Sequence, residues 1–377
     1  MTGSIGACLV IADLSGYTRY LADVEIDHAQ DILADLIGTV ANVMRPAFIV
    51  SKLEGDAIFF YAMADQIDGS ILMDVIEGSY FAFQNRLLSI RQASTCQCQA
   101  CRHIGDLDLK VVAHHGEVVI QEMLGQLELV GSDVILVHRM LKNTVPEHAY
   151  AFLTDECVSA VGLSPENMSW RRHREPYEDD VGPVTGWVHD LASAWAEQRN
   201  RHRMYVSEDE TAMSYSAFFA APPELVWEHI STPNLRVAWG AGLDRVDQLD
   251  PSGRRRPGTV SHCIHGSDLL IQEFLDWRPP RYFTSKVRLP DGVEIISTHE
   301  VEPVDGGSVI HDRFATPADE AGTEALQGLR SMFDEVFPGE TAELAGLLAE
   351  AVSRLEATAE PKLPVSDEGR RLATAVS

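Results

Sequence analysis

The sequence predicts an α+β protein of two domains. Three observations predict it: a length of 377 residues, a β-α-β-β-α-β order over residues 7–163, and a change after Met213 to strands followed by helices. Domains usually run about 100–200 residues, so this length suits two better than one. The first order is the ferredoxin-like arrangement, and a run of strands closed by helices reads as a separate α+β unit.

The elements follow from pattern. Cys8-Leu9-Val10-Ile11-Ala12 is an apolar run ending at Asp13, as expected of a buried strand. Leu33, Leu36, Ile37, Val40 and Met44 recur at helical spacing, and Pro46 closes that helix. Phe48 to Lys52 and Ala57 to Tyr61 form a hairpin about Leu53-Glu54-Gly55-Asp56. A helix from Gly69 to Arg91 and a strand from Leu107 to His114 come next. Glu117 to Gln121 and Leu127 to Val130 make a ribbon, and Asp133 to Lys142 is expected to be helical.

Residues 164–206 read as a connector. Its Arg171-Arg172-His173-Arg174, like the later Arg254-Arg255-Arg256, is expected to be solvated loop, and Trp187, Leu191 and Trp195 at four-residue spacing suggest an amphipathic helix. Later strands are expected at Tyr215 to Phe219, Leu269 to Phe274, Tyr282 to Val287, Val293 to Val301 and Ser308 to Phe314. Two helical stretches follow, one with Leu326 to Phe333 and one with Leu344 to Leu355, broken at Pro338-Gly339. The expected division is 5–163, a connector at 164–206, 207–356, and a flexible tail at 357–377.

Composition bounds the function. Thirty Lys+Arg against 57 Asp+Glu leave a net charge of −27, which argues against binding nucleic acid or anionic membranes, both polyanions. Hydrophobic residues at 45% are ample for two cores. The start lacks a basic n-region and its apolar run is too short for a signal or a span, so a cytoplasmic protein without a membrane span is expected.

The strongest chemical signal is a pair of carboxylates. Asp13 ends the first strand before Leu14-Ser15-Gly16-Tyr17-Thr18, and Asp56 sits at the hairpin turn. Neighbouring elements of a ferredoxin-like sheet can aim both at one point, which suits Mg²⁺ or Mn²⁺ carrying a triphosphate. The Ser15-Gly16 turn leaves backbone N–H groups for phosphate oxygens. Taken singly, Asp13 also reads as a helix cap, and Lys52 with Asp56 as a surface ion pair.

The motifs Ala12 to Thr18, Lys52 to Ala57, His114-His115-Gly116-Glu117-Val118 and Gly131 to Arg139, in that order, resemble the class III nucleotidyl (adenylate/guanylate) cyclases over about residues 5–160. The resemblance implies a nucleoside triphosphate substrate and a homodimer with sites between protomers. It implies that Asp13 and Asp56 bind two metal ions, that Lys52 and Glu128 contact the purine, and that Arg139 stabilises the transition state. The family's Asn, four residues before that Arg, is replaced by Ile135, which donates no hydrogen bond. Loss of such a donor typically costs about 10²–10³ in rate. Binding is therefore better supported than turnover. His114 and His115 read as packing or turn residues.

Cys96, Cys98, Cys101 and His103 match a Cys₃His zinc site or part of an iron–sulfur site, with redox-sensing or incidental thiols as alternatives. Ordinary class III cyclases lack this insert.

The second half resembles the SRPBCC (START-like, polyketide-cyclase-like) superfamily through Phe218 to Trp227, Trp239-Gly240 and Phe274 to Tyr282. That implies a helix-grip fold around an apolar cavity for a small apolar ligand. His262, His265, His299 and His311 are the pocket's candidate polar groups, each read as an ordinary packed or surface histidine.

Overall fold

The computed structural model describes residues 3–17, 20, 26–93, 103–123, 126–177, 182–200 and 203–359. The first half contains β1 (Ile5–Ser15), α1 (Ile26–Met44), β2 (Ile49–Glu54), β3 (Ala57–Met63), α2 (Gly69–Ala93), β4 (Asp108–Met123), β5 (Gln126–Val130) and α3 (Ser132–Met140). After these come β6 (Tyr150–Thr154), α4 (Asp155–Ala160), β7 (Arg171–Glu175), β8 (Val184–Asp190) and α5 (Leu191–Asn200). The strands form one sheet in the order β2-β3-β1-β4-β6-β8-β7, with β5 paired to β4 beyond it.

β1 lies between β3 and β4, antiparallel to both, and is buried on its two faces. That is why its sequence is a continuous apolar run rather than an alternation. Cys8, Val10, Ala12 and Leu14 enter the core shared with α1 and α2, whereas Ala7, Leu9 and Ile11 join Val134, Val137 and Met140 of α3. Asp13 continues the second series, so the strand's own alternation sends its carboxylate to the α3 side.

The segment expected to connect the domains does more. β7 and β8 extend the first sheet through β6, with Trp187 on β8 rather than on a helix. Only Leu191 and Trp195 are helical, and both pack into the first core. The Arg171 and Arg172 side chains are exposed and ion-paired to Glu147 and Asp155.

The second half comprises β9 (Thr211–Phe219), α6 (Pro223–Ser231), α7 (Pro233–Val237), β10 (Arg245–Leu249), β11 (Val260–His265), β12 (Asp268–Arg278), β13 (Tyr282–Arg288), β14 (Glu294–Val304), β15 (Gly307–Ala315) and α8 (Glu320–Ala359). Its sheet is antiparallel throughout, in the order β10-β11-β12-β13-β14-β15-β9. The break expected at Pro338-Gly339 does not occur: α8 runs through Pro338. Its two halves are held separately, Leu326 against Met213, Ile295 and Phe314, and Leu344 with Leu348 against the Trp227 and Trp277 cluster. Packing on both sides of the proline offsets the missing N–H.

Arg255, expected with Arg254 in solvated loop, is buried where the two halves meet, and Arg254 keeps only 11% of its side chain exposed. The Arg254 guanidinium forks onto Glu77 of α2 at 2.8 and 3.0 Å, and Arg255 is 1% exposed. Trp277 donates to Asp74 of α2 at 3.2 Å. Nearby, a Cβ on Gly253, at φ +77°, would lie 1.9 Å from the Gly162 carbonyl oxygen, so only glycine permits this backbone approach.

Candidate functional site

The hairpin turn brings the two carboxylates together. Asp13 lies opposite Ala57 in the β1–β3 register, and Leu14 donates its N–H to the Asp56 carbonyl at 3.2 Å. The Asp56 carboxyl is held above its ordinary value, first by burial and then by the Asp13 charge, with Lys110 opposing. Two acidic groups crowded at a half-buried sheet end have the chemistry of a hard-cation site.

Lys110, absent from the expected set, completes this corner. It lies opposite Asp13 on β4, and its Nζ sits 2.9 Å from Asp13 Oδ2 and 3.3 Å from the Leu141 carbonyl. A lone lysine in a strand gives no sequence signal; only the β1–β4 register places it. Tyr150 stands close enough for Asp13 to help raise its phenol, pushed up to about 12 mainly by burial.

Lys52 and Glu128, distant in sequence, do meet. Lys52 Nζ lies 3.7 Å from Glu128 Oε2 and 3.3 Å from Glu54 Oε1, and Glu54 accepts from His138 of α3 at 3.0 Å. The β4–β5 ribbon carries Glu128 to this position, and the β2–β3 hairpin carries Lys52. Leu53, Leu127 and Ile135 stand exposed, at 63%, 68% and 58%.

Ser15 and Gly16 begin the turn after β1. The Ser15 hydroxyl donates to the His148 carbonyl at 2.9 Å, and Tyr20 donates its N–H to Gly16 as a helical turn opens. Gly16 has φ +85°, and a Cβ there would approach the Asp106 carbonyl oxygen to 2.6 Å. Arg139 lies half-buried in the last turn of α3, where its carbonyl accepts from Tyr177 at 3.1 Å and its charge opposes the burial that raises the Tyr177 phenol.

His114 is a packing residue. It is buried beside Thr154 Oγ1 at 2.9 Å, and burial lowers its basicity. Gly116 lets Asp133 approach β4, where its carboxylate accepts from the Glu117 N–H at 2.7 Å.

Cys96, Cys98 and Cys101 lie outside the described residues. His103 is exposed, with Nδ1 3.0 Å from Asp106 Oδ2. Among the described residues no three His, Cys, Asp or Glu side chains converge as a metal site.

In the second half, β11 to β15, α7 and α8 enclose a mainly apolar cavity of about 250 Å³. Of the four expected histidines, His265 and His299 line it, His311 points to Glu302 and Ser216, and His262 is not among its walls.

Residues 210–360 match the family described as polyketide cyclase / dehydrase and lipid transport. Residues 33–150 match a family described as protein of unknown function (DUF2652). An uncharacterised protein of Mycobacterium tuberculosis is 39% identical over 137 residues, which are 36% of this chain and 64% of that protein, so the chain spans less than two thirds of its length. Among solved structures, the adenylyl cyclase CyaB from P. aeruginosa is similar over 50% of this chain and 96% of its own, at 14% identity and a TM-score of 0.40. The guanylyl cyclase Cya2 is similar over 50% and 92%, at 17% identity and 0.38. Protein Ms6760 from Mycobacterium smegmatis is similar over 39% and 96%, at 16% identity and 0.31. No helix among the described residues is long and apolar enough to cross a membrane.

Proposed function

We propose that the first domain binds a nucleoside triphosphate with divalent metal and that the second binds a small apolar molecule. What supports the first part is the crowding of Asp13 with Asp56 at the hairpin turn, together with a separate Lys52–Glu128 pair brought together by the β2–β3 hairpin and the β4–β5 ribbon. Asp13 and Asp56 would hold Mg²⁺ or Mn²⁺, whose charge neutralises the triphosphate when bound. Glu128 accepts from a purine amino group and Lys52 donates to a ring acceptor. The backbone of the Ser15-Gly16 turn and Arg139 serve the phosphates. The reaction open to such a site is attack of the ribose 3′-hydroxyl on the α-phosphate, releasing pyrophosphate and a 3′,5′-cyclic nucleotide. The exposed Leu53, Leu127 and Ile135 beside the site suit a second copy of the chain as partner, and occupancy of the second domain's cavity would regulate the first.

A reading of binding without turnover rests on two observations. Lys110 already neutralises Asp13 at 2.9 Å, and Ile135, where a donor is needed, is exposed and apolar. One assay separates the readings. Purified protein with Mn²⁺ and ATP or GTP is expected to release pyrophosphate and cyclic nucleotide, and Asp13→Ala to abolish the release. Wild-type rates no higher than those of Asp13→Ala eliminate the enzyme; equal nucleotide affinities in the two eliminate the metal site as well.

A further inference from the structure

On the floor of the second domain's cavity, three side chains lie in a hydrogen-bonded row that the cyclase and carrier readings leave unused. Ser297 and His299 are two apart on β14 and therefore share a face. Asp312 is the direct cross-strand partner of His299 on β15. All three line the cavity. His299 Nδ1 lies 2.6 Å from Asp312 Oδ1, and His299 Nε2 lies 3.2 Å from Ser297 Oγ. With Asp312 accepting from Nδ1–H, Nε2 is bare and accepts from the serine hydroxyl. Stacking on Phe283, at 4.7 Å between ring centroids, holds the imidazole plane.

We propose that this row is an acyl-transfer site, with Ser297 as nucleophile, His299 as general base and Asp312 as the positioning residue. The constellation is recognised by these roles and distances, whatever fold carries it. Ser285 is the buried cross-strand partner of Ser297, and its Oγ accepts from Gln272 Nε2 at 3.0 Å. Gln272 is in turn anchored by Arg236 at 3.0 Å.

The substrate class follows from the walls. Leu270, Val287, Ile295, Ile310 and Phe314 line the same cavity, so the acyl group is apolar. About 250 Å³ falls just below the usual range of ligand pockets, roughly 300–1,000 Å³. We therefore name a carboxylic ester of a small apolar acid. Ser297 Oγ forms a bond to the carbonyl carbon as its proton passes to His299 Nε2. The carbon–oxygen bond to the alcohol then breaks, and Nε2 returns the proton to the departing oxygen. Water attacks the acyl-serine in the same way, releasing the acid and restoring the hydroxyl.

This inference uses as its acyl pocket the cavity proposed above for an apolar ligand, and the test separates the two. The full chain is treated with an alkyl fluorophosphonate and mapped by mass spectrometry, assayed on p-nitrophenyl butyrate, and titrated with an apolar fluorescent dye. One adduct on Ser297 is expected, absent in Ser297→Ala. Asp312→Asn is expected to lower kcat by about 10³–10⁴ with KM and dye affinity unchanged, a split that loss of structure would not produce. An unlabelled wild type, hydrolysing no faster than Ser297→Ala while both take up dye, overturns the acyl-transfer site and leaves the ligand pocket standing. A label on another serine also overturns it. Labelling of Ser297 without dye uptake supports the acyl-transfer site and refutes the carrier reading.

Discussion

At the scale of single residues, the site is a matter of charges that need each other. Asp13 and Asp56 repel, and Lys110 offsets part of that repulsion from across the β1–β4 register. Lys52 stands between two carboxylates, Glu54 and Glu128, and is left with a position rather than free charge. Replacing it tests the base-contact role: Lys52→Ala is expected to weaken nucleotide binding about 10-fold or more, as loss of a charge-assisted hydrogen bond does. Isothermal titration with a non-hydrolysable triphosphate measures it, and unchanged affinity removes Lys52 from the site. Asp13 and Asp56 are legible in the sequence as candidates because their motifs bracket turns, and Lys52 and Glu128 only through the family resemblance. Lys110, Ser297 and Asp312 are not, because each comes into view only through a partner on the neighbouring strand.

At the scale of elements, local pattern succeeded where burial is one-sided or complete and failed where packing overrode a breaker. β1 reads directly from its apolar run, and the hairpin from Glu54-Gly55-Asp56, where Gly55 takes φ +71°. α8 is the counter-example, since Pro338 sits within a helix of 40 residues. Thr341 donates its hydroxyl to the Phe337 carbonyl at 2.9 Å in the turn that contains the proline. If packing alone carries the helix past that position, Pro338→Ala restores one backbone bond and is expected to stabilise the protein by about 1–3 kcal/mol. Urea unfolding checks it, and a loss of stability would mean that the proline shapes the cavity wall between Phe337 and Glu340. β7 and β8 were missed for another reason. Arg171 to Glu175 is a charged edge strand whose exposed side chains mask the strand signal.

At the scale of the molecule, the two halves are joined by buried charge. Arg254 commits both arms of its guanidinium to Glu77, whose carboxyl is thereby held well below the usual range even though burial opposes it. Asp74 receives only a 3.5 Å contact from Arg254 and the Trp277 N–H, so burial wins and its pKa rises to about 7. Removing Arg254 leaves Glu77 with only His189, at 2.8 Å, and Arg254→Ala is expected to cost roughly 3–5 kcal/mol, as breaking a buried pair does. Asp74 has the opposite sign. Its folded form holds a proton to about pH 7 while the unfolded chain releases it near 3.8, so its contribution to stability is lost as pH rises through that window. Asp74→Asn, which keeps an acceptor for Trp277, is expected to flatten that decline and to stabilise the protein at pH 8. Denaturant midpoints at pH 5 and pH 8 decide the matter, and an unchanged slope would place the titration elsewhere.

The sequence by itself determined the two-domain α+β division, the ferredoxin-like start and five of the seven strands of the second sheet, and it pointed to the candidate carboxylate pair. These depend on local periodicity and turn chemistry, which neighbours in the chain dictate. The charge of −27 was legible too, but not its use: some of it serves the joint between the halves at Asp74 and Glu77, which composition assigns to solvated surface. Only the tertiary structure decided that Arg254 leaves water, that Lys110 meets Asp13, and that His299 stands between a serine and an aspartate. The physical reason is the same in each case. Strand register and domain docking bring together groups far apart in the chain, and desolvation then changes what their charges and protons can do.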